Sequence, residues 1–235
     1  SSLAPIFCLE PTSGKATGAL IFLHGTGESG PTFMLYIQLL MGRNARLPHI
    51  RIIFPTAPLI AFSPLCGLKL RTWYDISAFS MNATENNEQI EITAEKLNDI
   101  ISDQMQKGIP SERMVYAGFS RGGDMSLHMG YSHLYKKFQR VLPGISAISS
   151  FLPNSSQVYK DLRENKYIGK LPLLLQQHGE KDHLVSLSMA EMTFQKLRNE
   201  GVQGEFIRYP NSGHMINKKE VELVYEFVNK VVPEI

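Results

Sequence analysis

The serine at position 120 lies in a segment whose residue types suit a nucleophile. Residues 118–122 read GFSRG, which fits the pattern G-x-S-x-G. The segment follows an apolar run at 114–117 and precedes an amphipathic stretch that begins near Arg121. Small flanking residues let a strand and a helix approach closely enough to hold a serine hydroxyl on a sharp turn. At the helix N-terminus, the dipole also favours developing negative charge. The pattern therefore predicts Ser120 as a nucleophile.

A serine hydroxyl is a weak nucleophile near neutral pH and needs a neighbouring base. His214 ends the turn PNSGH at 210–214, directly after a strand candidate at 205–209. Loops at the carboxyl ends of parallel strands are where the sites of open α/β sheets are built. We therefore predict His214 as the general base. His178 is interpreted as a hydrogen-bonded turn residue, and His183 as a surface residue with a substrate-side role as the alternative.

The base needs an acid that orients it, and the chain offers two candidates. Asp182 and Glu180 both follow a strand candidate at 171–176. Either carboxylate could accept the Nδ1–H of His214, fix the tautomer and stabilise the imidazolium. We favour Asp182, because the turn beginning at Gly179 would place it beyond the strand end. Glu180 stays open as the alternative.

The negative charge of a tetrahedral intermediate requires hydrogen-bond donors, which are often backbone N–H groups. One donor belongs to the residue after the nucleophile, here Arg121, and the other comes from a loop after an earlier strand. The segment LHGTG at 23–27 ends the first clear strand, and its glycines permit a close approach. We predict the N–H of Thr26 as the second donor. Neither role depends on the side chain.

The elements that must position these residues alternate along the chain. Short aliphatic runs follow longer amphipathic stretches, an order that indicates βαβ units. The predicted class is α/β, with a mostly parallel central sheet and helices on both faces, and residues 1–235 are expected to form a single domain. The predicted strands lie at 20–23, 50–54, 114–117, 144–148, 171–176 and 205–209, and the predicted helices at 32–41, 84–107, 121–135, 186–200 and 218–232.

Charge balance and cysteine usage narrow the range of partners. The chain has 24 Lys and Arg against 22 Asp and Glu, a formal charge of +2, so we expect no nucleic-acid partner. Two scattered cysteines, Cys8 and Cys66, are interpreted as reduced thiols of a cytoplasmic protein. We recognise no signal segment and no apolar run long enough to cross a bilayer, and therefore expect no stable membrane anchor. The oligomeric state is left open.

The stretch from residue 55 to about 82 is predicted to be irregular and rich in proline and aromatic residues. A loop of this length inside a compact domain is usually functional. We predict that Trp73, Phe62 and Leu65 line a substrate groove. The alternative is a surface flap packed on the core.

Several segments resemble those of one enzyme family. The segment FLHGTGESG at 22–30 resembles the FLHG-x-G-[DE]-[ST]-G segment of the acyl-protein thioesterase and lysophospholipase family. FPTAP at 54–58 resembles its P-T-A-P turn, and WYD at 73–75 resembles its W-F-D. GFSRGG at 118–123 is similar to its G-F-S-x-G-G, and HGEKD at 178–182 to its H-G-x-x-D. Together these segments cover nearly the whole chain.

Within that family, the segments at 61–73, 149–152 and 157–159 resemble the lysophospholipase-like branch. The resemblance implies an α/β-hydrolase fold and a serine esterase or thioesterase that works without a cofactor or metal. Its substrate would be a small-molecule or lipidated ester or thioester. In this branch the acyl pocket is expected to be shallow and to favour short acyl chains. A carboxylesterase is therefore the leading hypothesis, and a protein S-depalmitoylase or lysophospholipase is the alternative.

Two departures from the family pattern bear on substrate choice. Arg121 stands where the family usually has Gln or Met. A cation there could lower the pKa of the basic partner, recruit an acidic leaving group, or point to solvent. The segment 61–71 matches the family poorly, which leaves the substrate open. A non-catalytic binding module on a hydrolase scaffold is the alternative from another class. It is disfavoured because all three candidates for a Ser-His-Asp array are present.

Overall fold

The structure is a computed structural model that describes residues 6–164 and 170–235. In these ranges no helix has both the length and the hydropathy needed to cross a membrane. The strands are β1 (Phe7–Leu9), β2 (Gly18–Leu23), β3 (Ile50–Phe54), β4 (Leu59–Phe62), β5 (Leu68–Arg71), β6 (Met114–Phe119), β7 (Gly144–Ile148), β8 (Leu173–Gly179) and β9 (Gly204–Tyr209). The helices are α1 (Gly30–Met41), α2 (Asn87–Gln106), α3 (Arg121–His128), α4 (Leu134–Phe138), α5 (Gln157–Glu164), α6 (Leu187–Asn199) and α7 (Lys218–Val231).

A seven-stranded sheet runs through the described part of the chain in the order β1-β3-β2-β6-β7-β8-β9. Every neighbouring pair is parallel except the edge pair of β1 and β3. The six parallel strands include all six strands predicted from the sequence. Because their carboxyl ends share one edge of the sheet, the loops after β2, β6, β8 and β9 open on the same side of the molecule.

Alternate side chains of the central strands enter two separate cores, one on each face of the sheet. In β2, Leu20 and Phe22 pack with residues of α1 and α7, whereas Ala19 and Ile21 pack with residues of α2, α5 and α6. All four side chains are fully buried. The two-residue period of a strand produces this division, which explains why these runs are apolar throughout. The predicted mostly parallel sheet with helices on both faces is confirmed.

Side-chain caps set the helix starts more sharply than the hydrophobic pattern does. Helix α2 begins at residue 87, rather than near 84, because the Asn86 side chain accepts a hydrogen bond from the Gln89 N–H at 3.1 Å. Helix α7 begins with a reciprocal capping box between Asn217 and Glu220. Apolar periodicity shows which face of a helix is buried. It does not show where the helix begins, because that depends on the side chain that caps its first N–H groups.

The helix predicted over 121–135 is divided into three parts. Helix α3 passes into a π-helical turn, Met129–His133, which is followed by α4. At Gly130 the backbone lies so close to β7 that a Cβ atom would overlap the Ile145 side chain. The missing side chain therefore permits the close contact between this turn and the sheet.

The segment predicted to be irregular contains an antiparallel hairpin of β4 and β5, with Ile60 opposite Leu70. The hairpin closes through Cys66 and Gly67, both of which have positive φ angles. A cysteine gives no sequence signal for a left-handed turn, because residues with side chains seldom adopt positive φ angles. Strand β1 and helix α5 were also not predicted, because three and eight residues respectively carry too short a pattern.

The packing of β2 yields a test of the core. Phe22 packs edge-on against Phe33 with ring centroids 5.0 Å apart, and its ring lies 6.2 Å from that of Phe54. Phe22→Ala should lower the free energy of unfolding by about 3–5 kcal/mol, because it removes the ring and leaves a cavity. Urea denaturation followed by circular dichroism measures the change. As the control, Leu39→Ala on the exposed face of α1 should change it by less than about 0.5 kcal/mol. Equal losses in the two variants would contradict the assigned core.

Candidate active site

Ser120, His214 and Asp182 lie in one chain of hydrogen bonds. His214 Nε2 is 2.9 Å from Ser120 Oγ, and His214 Nδ1 is 2.7 Å from Asp182 Oδ2. The three residues belong to the loops after β6, β9 and β8, which the strand order brings to one edge of the sheet. Because the carboxylate only accepts, the ring proton lies on Nδ1, and Nε2 accepts from the serine hydroxyl. An array with this geometry can pass the serine proton to the imidazole.

The turn at Ser120 is held in a left-handed conformation, with φ 54° and ψ −125°. A residue with a side chain adopts this region at a cost of about 1–3 kcal/mol, so the surroundings must enforce it. A Cβ at Gly118 would overlap the Gly122 backbone, and a Cβ at Gly122 would overlap the His24 carbonyl oxygen. Ser120 N–H donates to Ile148 O at 2.8 Å, which ties the turn to the end of β7.

Asp182 is a buried carboxylate whose two oxygens have separate partners. Its Oδ2 faces His214, while its Oδ1 accepts hydrogen bonds from Leu184 N–H at 3.0 Å and Val185 N–H at 2.9 Å. Burial raises the pKa of Asp182, but the hydrogen bond and charge of His214, with the Val185 N–H, outweigh burial and hold it below its ordinary value. Glu180 is exposed, and the carboxylate in contact with His214 is that of Asp182.

The two other histidines of this region lie outside that chain. His178 was predicted to be a hydrogen-bonded turn residue, but it is the next-to-last residue of strand β8. Its Nε2 does donate a hydrogen bond, to Val185 O at 2.8 Å. The same atom is 3.5 Å from Asp182 Oδ2. Burial lowers the pKa of His178, which favours the neutral form of its ring. His183 is exposed, as predicted for a surface residue.

The N–H groups of Thr26 and Arg121 are both available to a ligand. In the described part of the chain, neither N–H donates to a protein acceptor. The Arg121 N–H belongs to the first turn of α3, where N–H groups have no partner within the helix. The two loops start level with each other, since Leu23 of β2 pairs with Gly118 of β6. The structure therefore places both predicted donors at the same edge of the sheet as Ser120.

His24 holds the loop after β2 in place through both ring nitrogens. Its Nε2 accepts the Ala57 N–H at 3.0 Å, so Nδ1 carries the proton and donates to Gly25 O at 2.7 Å. Burial, assisted by the charge of Arg71, lowers the pKa of His24 to about 4, which keeps the ring neutral near pH 7. Trp73 Nε1–H donates to His24 O at 2.8 Å. Sequence reasoning assigned no role to His24, and its position at a strand end before glycine is the one signal for it.

The side chain of Arg121 does not point to solvent, which was one alternative from the sequence. It is buried, its Nη1 is 2.5 Å from Asp124 Oδ2, and its Cζ lies 4.0 Å from the centre of the Tyr74 ring. The cation is therefore paired beneath the turn and cannot recruit a leaving group. Burial raises the pKa of Asp124 to about 6, although the charge of Arg121 opposes this effect. Asp124 was not singled out in the sequence, since its partner is visible only in the folded chain.

The predicted groove is wrong for two of its three residues. Trp73 is 0% exposed and Phe62 is 1% exposed, so neither presents a surface to a substrate. The Trp73 ring packs 4.9 Å from that of His24, and the Phe62 ring lies 6.0 Å from that of Phe79. Both side chains are core residues of the loops around the site. Leu65 is half exposed beside the hairpin turn, and its role in the groove stays a prediction.

Two cavities of the described structure lie away from this site. Their volumes are about 390 Å³ and about 930 Å³, and both are lined by Leu173, Gln203 and Lys230. Leu173 is the first residue of β8 and Gln203 precedes β9, so the cavities open where the strands begin. They are therefore at the edge of the sheet opposite to Ser120.

Comparisons with known proteins agree with this architecture. A family described as phospholipase/carboxylesterase matches residues 5–232. Lysophospholipase-like protein 1 of Mus musculus is 33% identical over 226 residues, which cover 96% of this chain and 92% of that protein. Acyl-protein thioesterase 1 homolog 1 of Dictyostelium discoideum is 32% identical over 226 residues, covering 96% and 94%. The solved structure of Zea mays acyl-protein thioesterase 2 is similar with a TM-score of 0.82 at 21% identity, covering 97% of this chain and 99% of that one.

The sheet, its helices and these structural neighbours define an α/β-hydrolase. The match over nearly its full length then gives the particular family: the chain belongs to the phospholipase/carboxylesterase family and is a serine hydrolase. The resemblance to acyl-protein thioesterases and lysophospholipases that the motifs indicated is thereby confirmed.

The first turn of α7, the helix that follows His214, contains a buried carboxylate with a raised pKa. Glu220 is fully buried and accepts the Asn217 N–H at 2.8 Å. Burial, opposed by that hydrogen bond and reinforced by the charge of Asp182, raises the pKa of Glu220 to about 7. Ionisation at this position is therefore less favourable in the folded chain than in the unfolded chain.

Glu220→Gln should stabilise the protein at pH 8 and not at pH 5. Between the unfolded pKa of about 4.3 and the folded pKa, the native state binds more protons, so the wild type loses stability as the pH rises. Glutamine still accepts the Asn217 N–H but never ionises. The variant should gain about 1–3 kcal/mol in free energy of unfolding at pH 8 and close to none at pH 5. Urea titrations at the two pH values measure this, and a gain that is equal at both would contradict it.

Proposed function

We propose that the protein is a carboxylic ester hydrolase with Ser120 as nucleophile, His214 as general base and Asp182 as the acid that orients the base. The observation that carries this proposal is the unbroken hydrogen-bond chain from Ser120 Oγ through the imidazole to Asp182, at 2.9 and 2.7 Å. Each atom of the chain has the donor or acceptor role that acyl transfer requires.

In the first half of the reaction, Ser120 Oγ attacks the substrate carbonyl carbon while its proton passes to His214 Nε2. Asp182 stabilises the imidazolium through the Nδ1–H hydrogen bond, and its lowered pKa keeps it ionised for this purpose. The carbonyl oxygen becomes an oxyanion that the N–H groups of Thr26 and Arg121 are proposed to bind. Collapse of the intermediate breaks the ester bond, and the imidazolium returns the proton to the leaving alcohol.

In the second half, water hydrolyses the acyl-enzyme. His214 Nε2 takes one proton from the water as its oxygen attacks the acyl carbon, and a second tetrahedral intermediate forms. That intermediate collapses to release the carboxylic acid, while the proton returns to Ser120 Oγ. The same oxyanion donors serve both halves, because the oxygen that becomes negative occupies the same place.

The proposed substrate is a small-molecule ester with a short acyl chain. Because Trp73 and Phe62 are buried, they cannot contact the acyl chain of a substrate. Of the three residues predicted to line the groove, the half-exposed Leu65 beside the hairpin turn is the one that can. The hairpin adjoins the loop after β2, since Gly27 N–H donates to Arg71 O at 2.8 Å. An open apolar surface suits a short acyl group better than a palmitoyl chain, which gains more from enclosure. We further propose that residues 1–235 act as one domain in the cytoplasm.

The alternative is an acyl-protein thioesterase or a lysophospholipase. The observation that favours it is the set of relatives, which includes a lysophospholipase-like protein and several acyl-protein thioesterases. An ester and a thioester pass through similar tetrahedral intermediates, so the proposed array would serve either bond. The surface that contacts the acyl chain, rather than the serine and histidine, distinguishes the two activities.

Substitutions in the array test the catalytic roles. Ser120→Ala and His214→Ala should each lower kcat by about 10⁴-fold or more with the fold intact, and Asp182→Asn should lower it somewhat less. Hydrolysis of p-nitrophenyl acetate measures kcat, and thermal unfolding checks the fold. Glu180→Gln is the matched control and should retain activity within about twofold, since Glu180 is exposed. Full activity in Asp182→Asn with a loss in Glu180→Gln would reverse the assignment of the acid.

A second experiment tests which acyl-chain lengths the site accepts. The kcat/KM values on p-nitrophenyl esters from acetate to palmitate should peak at short chains and vanish in Ser120→Ala. A peak at palmitate, together with release of palmitate from an S-acylated peptide, would favour the thioesterase. A fluorophosphonate probe should label the wild type and not Ser120→Ala. Absence of labelling in the wild type would favour a non-catalytic binding module instead.

A further inference from the structure

A buried ion pair lies directly beneath the nucleophile turn. Arg121 and Asp124 are three residues apart in the first turn of α3, and each side chain is 1% exposed. Arg121 Nη1 is 2.5 Å from Asp124 Oδ2. The guanidinium carbon lies 4.0 Å from the centre of the Tyr74 ring, and Nη2 donates to Tyr74 O at 3.4 Å. The Arg121 side chain is therefore held by a carboxylate on one side and an aromatic face on another.

The polar network continues behind Tyr74. The Tyr74 hydroxyl donates to Glu85 Oε1 at 2.8 Å, and His128 Nε2 is 2.9 Å from the same oxygen. All three side chains are buried. The guanidinium thus contacts the carboxylate of Asp124 and the ring of Tyr74, and the Glu85 carboxylate and the His128 ring are linked to it through Tyr74. The cation has more negative than positive charge around it, which holds it in place.

Asp124 also connects the ion pair to the loop after β7. Its Oδ1 accepts the Phe151 N–H at 2.8 Å. The neighbouring Ser150 hydroxyl has one proton to share between Ser120 O at 3.0 Å and Ile148 O at 2.8 Å. One carboxylate therefore fixes both the side chain of Arg121 and the loop that the nucleophile turn rests on.

We propose that the Arg121–Asp124 pair is a positioning device for the oxyanion donor at the Arg121 N–H, a role that rests on the proposed function. Clamping the side chain of Arg121 fixes the direction of its backbone N–H relative to Ser120. The pair itself does not touch the substrate, because both side chains are 1% exposed. A displacement of about 1 Å at such a donor can reduce the rate about 100-fold.

Stability alone is a weak explanation for this pair. Removing two charges from water costs about as much as their attraction returns, and apolar residues of similar volume are often no less stable. A charged pair does, however, impose a direction on both of its members, which an apolar contact does not. The residue whose direction is imposed here carries a predicted oxyanion donor.

The test compares two buried carboxylates that differ in their distance from the turn. Asp124→Asn keeps the acceptor for the Phe151 N–H and removes the charge that pairs with Arg121. The control is Asp161→Asn on α5, where a buried carboxylate accepts from Ser132 and Gln157 far from Ser120 in the chain. The kcat and KM values on p-nitrophenyl acetate are measured well below the melting temperature of each variant. Arg121→Lys, which keeps the charge but loses the planar fork and the stacking, is the second test variant.

We expect Asp124→Asn to lower kcat by about 10- to 100-fold with KM within about twofold, and Arg121→Lys to lower it several-fold. Asp161→Asn should keep kcat within about twofold even where its melting temperature falls. A kcat within twofold of the wild type in either folded test variant would overturn the inference. Failure of both test variants to fold would overturn it too, since the pair would then serve stability. A wild type that hydrolyses no ester would instead refute the proposed function.

Discussion

The site depends on a close contact between backbones at the turn that carries Ser120. Strand β6 and helix α3 can approach only because Gly118 and Gly122 present no side chain where they meet. The left-handed conformation of Ser120 is unfavourable in isolation, and hydrogen bonds to the end of β7 maintain it. Helix α3 starts there, and its Gly123 and Asp124 N–H groups donate to the Ser120 carbonyl oxygen at 2.9 and 3.1 Å. A single steric condition therefore underlies the positions of Ser120 and of the Arg121 N–H and the direction of α3.

Around that turn, the buried carboxylates differ in charge state because their partners differ. Asp182 receives two backbone N–H groups and a histidine N–H, which outweigh burial and favour the ionised form. Glu220 receives one backbone N–H and lies near another negative charge, so burial prevails. Asp124 lies between these extremes, with one N–H and one cation. Burial raises the pKa of all three carboxylates, and the hydrogen bonds and charges at each decide how far that effect is opposed.

Most of the sheet and the array of serine, histidine and acid could be predicted from the sequence because the signals are local. Strand periodicity, a glycine-flanked serine and the order of the residues along the chain require no knowledge of distant contacts. The burial of Trp73 and Phe62 could not be predicted in this way, because it depends on which loops cover these side chains. The burial of Arg121 depends on Tyr74, which is 47 residues away in the sequence. The surroundings of a loop side chain depend on tertiary contacts. Neither the alternation of strands and helices nor the turn-forming residues show these contacts.

The hairpin of β4 and β5 is joined by hydrogen bonds to the loop after β2, which carries Thr26. Gly27 N–H donates to Arg71 O, and the Thr26 and Thr72 hydroxyls are 2.9 Å apart, so the two segments are linked at consecutive residues. The position of the hairpin and that of the loop after β2, which carries Thr26, are therefore tied to each other. The segment 61–71, which matches the family poorly, is thus anchored to a loop at the same edge of the sheet as Ser120, so a change in the hairpin also bears on that loop.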